Sequence, residues 1–241
     1  LLHGPALLRT PEGERINHHL GVSAFADYAV VARESVVVID DDVPDTVAAM
    51  FGCAVLTGMG AVFNTAGVSQ GQHVAVFGLG AVGLSAVMAA RLAGAASVIA
   101  IDPNQGKHQL ARDAGATAVG TPDDAARLIG EASGDGVDVA IEAVGSAGVI
   151  ASCLERVTRG GAVVSVGLPH PSAGLTVPAL QFAGAGKRLL GSYMGDAVPA
   201  RDIPKYLGYW REGRLPVELL HTDTRPLSEI NEGLDALAAG K

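Results

Sequence analysis

The chain has 241 residues, 49% hydrophobic and 17% charged, with 32 glycines and only 4% aromatics, which suits helices packed closely on a parallel sheet better than a tyrosine-rich binding surface. Seventeen Lys and Arg against 25 Asp and Glu give a formal net charge of −8 with no basic cluster, which excludes the broad positive surface that a nucleic-acid backbone requires. Two distant cysteines without a Cys-x-x-Cys supply neither a disulfide framework nor a complete metal site, and they fit a reducing cytoplasm.

The opening "LLHGPALLRTPEGER" lacks a basic flank followed by a long apolar core, so no leader is expected. Residues 1–54 read as polar loops and short strands ("FADYAVVARESVVVID"), with a boundary expected near Cys53 in "FGCAVLTG". Taken alone, a cysteine among small residues reads as a small buried hydrophobe.

From Val74 a rhythm sets in: a short apolar run, a Gly-rich or polar turn, then a helical stretch. "HVAVFG" leads to a helix over Ala81 to Ala93 stopped by Gly94, and "SVIAID" to a helix near Gln105 to Ala114 stopped by Gly115. "ATAVG" is followed by Thr121 as cap and Pro122 at the first helical position. "VDVAIEAVG" precedes Ser146 and a helix to about Thr158, and "AVVSVG" and "KRLLGSYMG" are two further strands. Val74 to Ala90 carries no charge, but its glycines and strand-like start favour a buried strand, turn and helix over a membrane span.

Six strands with helical crossovers predict an α/β fold with a doubly wound parallel six-stranded sheet, the Rossmann architecture. After about residue 195 the chain reads as a helix, a strand ("VELLHT") and the helix "LSEINEGLDALAAG". The flanks lack the βα rhythm, so residues 1–54 and 196–241 are expected to be pieces of a second, incomplete domain around a nucleotide domain at 55–195.

Gly78-Leu79-Gly80-Ala81-Val82-Gly83 fits G-x-G-x-x-G: Gly78 for the tight turn, Gly80 for backbone approach to a pyrophosphate, Gly83 for close helix-strand packing. Asp102 ends the next strand 22 residues after Gly80, where a carboxylate binds adenosine ribose hydroxyls. That acid repels a 2′-phosphate, and residues 103–106 offer no Arg to receive one, so NAD is expected over NADP. Lys107 either reaches the ribose or a phosphate, or is simply solvated.

In the same order along the chain, "HHLGVSAFADYAVV", "FGCAVLTGMGAV", "VAVFGLGAVGLSAV", "VIAIDPNQGKHQLARDAGAT", "GVDVAIEAVG" and "INEGLDALAAGK" resemble the zinc-dependent alcohol dehydrogenases of the medium-chain dehydrogenase/reductase superfamily, in the liver-type and glutathione-dependent formaldehyde dehydrogenase branch. The resemblance implies that the flanks belong to a mostly β, GroES-like catalytic domain and that Cys53 is one of three protein ligands of a catalytic zinc. It places Thr57 and Val82 against the nicotinamide, Val144 near the adenosine half, and Val166, Gly167 and Leu168 along the nicotinamide side. It gives the backbones of Ser192 and Met194 to the carboxamide, and His19 to the substrate channel, where relatives carry an aromatic. The other two zinc ligands and the proton relay would precede Leu1.

The implied function is zinc-assisted hydride transfer between an alcohol or aldehyde and NAD. The implied assembly is a homodimer through the edge segment 175–193. Alternatives are a zinc-free quinone or enoyl reductase relative and an inert NAD-binding module. Cys153, on the helix after "VDVAIEAVG", is expected in the core.

Overall fold

A computed structural model describes residues 8–16 and 25–239, and the chain divides into two units, residues 1–38 with 222–241 and residues 39–221. The smaller unit begins with an antiparallel hairpin, β1 (Leu8–Arg9) against β2 (Arg15–Ile16). Residues 25–38 then run without a strand, apart from one 3₁₀ turn at Arg33–Ser35. This corrects the strands expected in "FADYAVVARESVVVID". Tyr28, Val30 and Val38 are each about nine-tenths exposed, and alternating apolar residues make a strand only where a neighbouring backbone completes the hydrogen bonds.

The larger unit opens with two helices, the first of them where polar loops and short strands were expected. α1 (Asp45–Phe51) follows Pro44 and carries Asp45 in its first turn, where the helix dipole favours an acid. Its buried Val47 and Phe51 stand four residues apart, a helical spacing that the flanking polar residues obscure. α2 (Ala54–Gly60) runs on into a π-helical stretch, Ala61–Ala66, which Gly67 ends in the left-handed conformation.

The βα alternation comes next, as expected. β3 (His73–Phe77) leads to α3 (Ala81–Leu92), β4 (Ser97–Ile101) to α4 (His108–Asp113), and β5 (Ala118–Gly120) to α5 (Ala125–Ser133). β6 (Val137–Glu142) leads to α6 (Ala147–Arg156), and β7 (Val157–Ser165) through α7 (Leu180–Ala183) to β8 (Arg188–Gly191). All six strands pair in parallel in the order β5-β4-β3-β6-β7-β8, the doubly wound order in which the winding reverses between β3 and β6. The uncharged run at 74–90 is thus split into strand, turn and helix, and among the described residues no single helix is long and apolar enough to cross a membrane.

Along one face, Ala75, Ile99, Ala140 and Val163 of the strands meet Leu128 and Ile129 of α5 and Ile150, Cys153 and Leu154 of α6. Cys153 is fully buried there, and burial, helped by the Glu142 charge, pushes its thiol up, so it serves as a packing residue.

α8 (Pro199–Arg211) is the last α-helix of the larger unit, and α9 (Ile230–Ala238) lies in the smaller one. Between them "VELLHT" forms a 3₁₀ turn at Val217–Leu220 instead of the expected strand. Pro216 precedes it, Val217 is buried, and Trp210 Nε1 donates to Glu218 Oε1 at 2.6 Å, so packing against α1 and α3, with this tie to α8, takes the place of strand pairing.

Two buried acids anchor what surrounds the sheet. Glu142, fully buried at the end of β6, accepts from the amides of Val144 (2.8 Å), Gly145 (2.6 Å) and Ser146 (3.3 Å) through Oε1. Asp202, also buried, accepts from the Val198 amide at 2.8 Å and is paired by Arg201, whose guanidinium holds the carboxyl below its usual range.

Removing the Glu142 acceptor orphans three amides, so Glu142→Ala is expected to lower the unfolding free energy by about 3 kcal/mol in a urea titration. Because the folded-state pKa of Asp202 is depressed, its charge stabilises the fold above its unfolded pKa of about 4, and that contribution fades as pH falls through the folded value. The stability gap between wild type and Asp202→Asn should therefore be largest near neutrality and close progressively below about pH 4, as read by thermal melts across pH.

Candidate functional site

In an open parallel sheet, ligands bind outside the carboxyl ends of the strands where the winding reverses, here between β3 and β6. The chain leaves β3 through Gly78, whose φ of 92° only glycine adopts without strain and whose amide donates to Ile101 O at 2.9 Å. The three turn glycines have different surroundings. A Cβ on Gly78 would press within 2.8 Å of the Val144 side chain, and one on Gly83 would collide with the Gly78 carbonyl. A Cβ on Gly80 would meet no atom within 4 Å. Gly78 and Gly83 are therefore required by packing, whereas Gly80 faces open space at the start of α3, where the first-turn amides lack carbonyl partners. Leu79 buries its side chain, Ala81 is exposed, and Val82 is half-buried.

Asp102 stands beside this turn and is 5% exposed. Its Oδ2 accepts from the Leu79 amide at 2.7 Å and its Oδ1 from the Asn104 amide at 2.8 Å. Lys107 Nζ lies 3.7 Å from Oδ2. The carboxylate is thus fixed to the glycine turn by a charge-assisted bond before any ligand arrives. The side-chain ring of His108, which the sequence did not single out, lies with Nε2 2.9 Å from the Asp102 carbonyl and braces the same strand end.

Across the switch point, the loop held by Glu142 presents Val144, 54% exposed, and the loop after β7 presents Leu168, 78% exposed, while Val166 is buried. A Cβ on Gly167 would collide with the Gly145 amide, so these two loops touch backbone to backbone.

α2 spans the rest of the rim. A Cβ on Gly58 would run into the Val82 carbonyl, and one on Gly60 into the Gly195 carbonyl, so this helix contacts both α3 and the loop after β8. Thr57, buried on the same helix, approaches the Met194 sulfur with Oγ1 at 3.9 Å. Met194, Gly195 and Asp196 have φ of 52°, 70° and 48°, and the two that are not glycine bear a cost on the order of 1 kcal/mol each. Ser192 is buried, and its amide donates to Ser165 O at 3.0 Å.

Cys53 is an exposed free thiol immediately before α2, and its carbonyl accepts from the Thr57 amide at 2.8 Å. Among the described residues no group of three His, Cys, Asp or Glu side chains is placed to hold a metal ion, so these residues do not by themselves make a zinc site. His19 lies outside the described residues. The structure thus brings the glycine turn, Asp102, Lys107, Val144 and the 166–168 loop to one rim and joins Thr57 to Met194. Sequence reasoning missed Glu142, Asn64 and Thr65, which shape that rim from behind; a carboxylate closing the apolar run Val139–Ile141 was the one available signal, for Glu142.

Gly83→Ala forces a methyl into the Gly78 carbonyl and is expected to destabilise the protein by about 2 kcal/mol, read as a lower denaturation midpoint at unchanged slope.

The family description "Zinc-binding dehydrogenase" matches residues 81–209. The chain is 38% identical over 237 residues to alcohol dehydrogenase class-2 isozyme 2 of Oryctolagus cuniculus, covering 96% of this chain and 62% of that protein. It is 35% identical over 235 residues to S-(hydroxymethyl)glutathione dehydrogenase of Haemophilus influenzae, covering 95% of this chain and 62% of that one. Among solved structures, an alcohol dehydrogenase zinc-binding domain protein from Burkholderia ambifaria superposes with a TM-score of 0.90 at 33% identity, over 96% of this chain and 63% of that one. The chain therefore spans about three-fifths of the length of the relatives it matches. With the family match covering more than half of its residues, the chain belongs to the zinc-binding dehydrogenase family.

Proposed function

We propose that this chain is the cofactor-holding part of an NAD-linked alcohol dehydrogenase that interconverts an alcohol and an aldehyde. The observation that carries the reading is the contrast within the glycine turn: Gly78 and Gly83 are hemmed in by protein, while the Cβ position of Gly80 is open beside unpartnered amides and next to a fixed carboxylate. That is the surrounding a pyrophosphate and an adjoining ribose need.

In this reading Gly78, Leu79, Gly80, Ala81 and Gly83 form the pyrophosphate turn; the Gly78 and Leu79 amides are taken by Ile101 O and Asp102 Oδ2, and the amides at the start of α3, from Gly80 on, are the donors. Asp102 accepts from the adenosine ribose hydroxyls, and Lys107, near the same carboxylate, adds positive charge toward the ribose or phosphates. Val144 covers the adenosine side. Val82, Thr57, Val166, Gly167 and Leu168 line the nicotinamide side, and the backbones of Ser192 and Met194 hold the carboxamide. When bound, NAD supplies the hydride acceptor. The chain's own contribution is to orient the ring and keep water from it, which the apolar Val82, Val166 and Leu168 support.

Cys53 is proposed as one thiolate ligand of a zinc ion, in keeping with the family's description. Residues 1–54 and 196–241 are proposed as pieces of a catalytic domain around a cofactor domain at 55–195. β8 is the last strand of the sheet among the described residues, and pairing of the 175–193 segment with a second copy would cover that edge. Two cysteines left as free thiols support a cytoplasmic setting.

Calorimetric titration with NAD and NADP tests the reading. The wild type is expected to bind NAD at least about tenfold more tightly than NADP. Gly80→Asp, an acceptable helix N-cap whose side chain enters open space, should keep the wild-type melting temperature and lose NAD affinity by more than about tenfold through occlusion and charge repulsion. Wild-type NAD affinity in Gly80→Asp would remove the glycine turn from the cofactor site.

A further inference from the structure

Met194, Gly195 and Asp196 are three consecutive residues with positive φ, a run that L-residues do not sustain by their own preference. The restraint comes from the π-helical stretch Ala61–Ala66. Thr65 Oγ1 lies 2.6 Å from Asp196 Oδ2 and 2.7 Å from Ser192 Oγ. A carboxylate only accepts, so the single Thr65 proton goes to Asp196, and the Ser192 hydroxyl donates in turn to Thr65. Its neighbour Asn64 donates through Nδ2 to Gly195 O at 3.1 Å and reaches Asp202 Oδ2 at 3.5 Å. Two adjacent side chains therefore tie down the residue at the start of the loop and the middle and last residues of the left-handed run.

The π-turn matters to this arrangement. It adds one residue relative to an α-helix and so rotates the residues beyond it by about 100°. α2 itself meets the loop through the backbones of Leu56, Thr57 and Gly60 and through the Thr57 hydroxyl beside the Met194 sulfur, whereas the ties to Ser192, to the Gly195 carbonyl and to Asp196 come from the π-helical stretch after it.

We propose that Thr65, seconded by Asn64, is a positioning residue for the nicotinamide half of the cofactor: without touching the dinucleotide, it fixes the Ser192–Asp196 backbone in the conformation that receives the carboxamide. The inference rests on the NAD reading above. β8, which leads into this loop, lies four strand spacings from β4, which Asp102 immediately follows, a separation of about 19 Å. Loosening the loop therefore leaves the adenosine subsite intact.

The test compares calorimetric affinities of the full chain for NAD and for ADP-ribose, which carries the adenosine, pyrophosphate and ribose but no nicotinamide. Thr65→Val is expected to weaken NAD by about tenfold while ADP-ribose stays within about twofold of wild type, and Thr65→Ser to restore both. ADP-ribose affinity is also the control for folding. Unchanged NAD affinity in Thr65→Val, equal weakening of both ligands, or a wild type that binds ADP-ribose as tightly as NAD would each overturn the inference while leaving the glycine turn as the cofactor site. A wild type that binds neither ligand would instead overturn the cofactor reading on which the inference stands.

Discussion

The rim depends on backbones that touch. Gly83 lies against the Gly78 carbonyl, Gly167 against Gly145, Gly58 against Val82, and Gly60 against Gly195, and at each of these contacts a single methyl group would collide with main-chain atoms. Packing of this kind has no adjustable side chains to absorb error, so it fixes the relative placement of the turn, the two central loops and the loop after β8 more rigidly than interlocked aliphatic side chains would. A chain with 32 glycines bears the entropic cost of ordering them, and the return is a cleft whose walls are main chain.

Such a surface presents amides and carbonyls at fixed positions, and the buried acids orient them. Glu142 gathers three successive amides and shapes the loop that carries Val144. Asp102 takes the Leu79 amide with one oxygen and the Asn104 amide with the other, which locks its plane. Each acid stands at the carboxyl end of a parallel strand, Glu142 as the last residue of β6 and Asp102 just after β4, where the next residues leave the sheet and their amides have no partner strand. An ionised side chain at that point satisfies several orphan donors together, which makes burial of the charge tolerable.

The opposite end of the rim is held differently. The 192–196 loop is not stable by local preference, and side chains reaching from a widened helical turn keep it in place. One helix with its π-helical extension thereby connects Cys53 at its start, Thr57 in its middle and Thr65 in its last turn, so a thiol, a contact to Met194 and a loop tie all ride on one element. Correct placement of any of them constrains the others.

The amino-acid sequence by itself determined the six strands, the helices between them, the glycine turn and the acid that ends the next strand. Those features repeat over a few residues and are governed by local periodicity and by the φ that glycine alone permits, as the stops at Gly94 and Gly115 illustrate. Tertiary structure decided the rest. "FADYAVVARESVVVID" and "VELLHT" have the composition of strands and form none, because a strand exists only beside a partner. Residues 45–51 became a helix because Val47 and Phe51 found a core to enter. The left-handed run at 194–196 and its ties to Asn64 and Thr65 join residues more than 120 positions apart, and no local pattern encodes a bond that only the completed fold brings within reach.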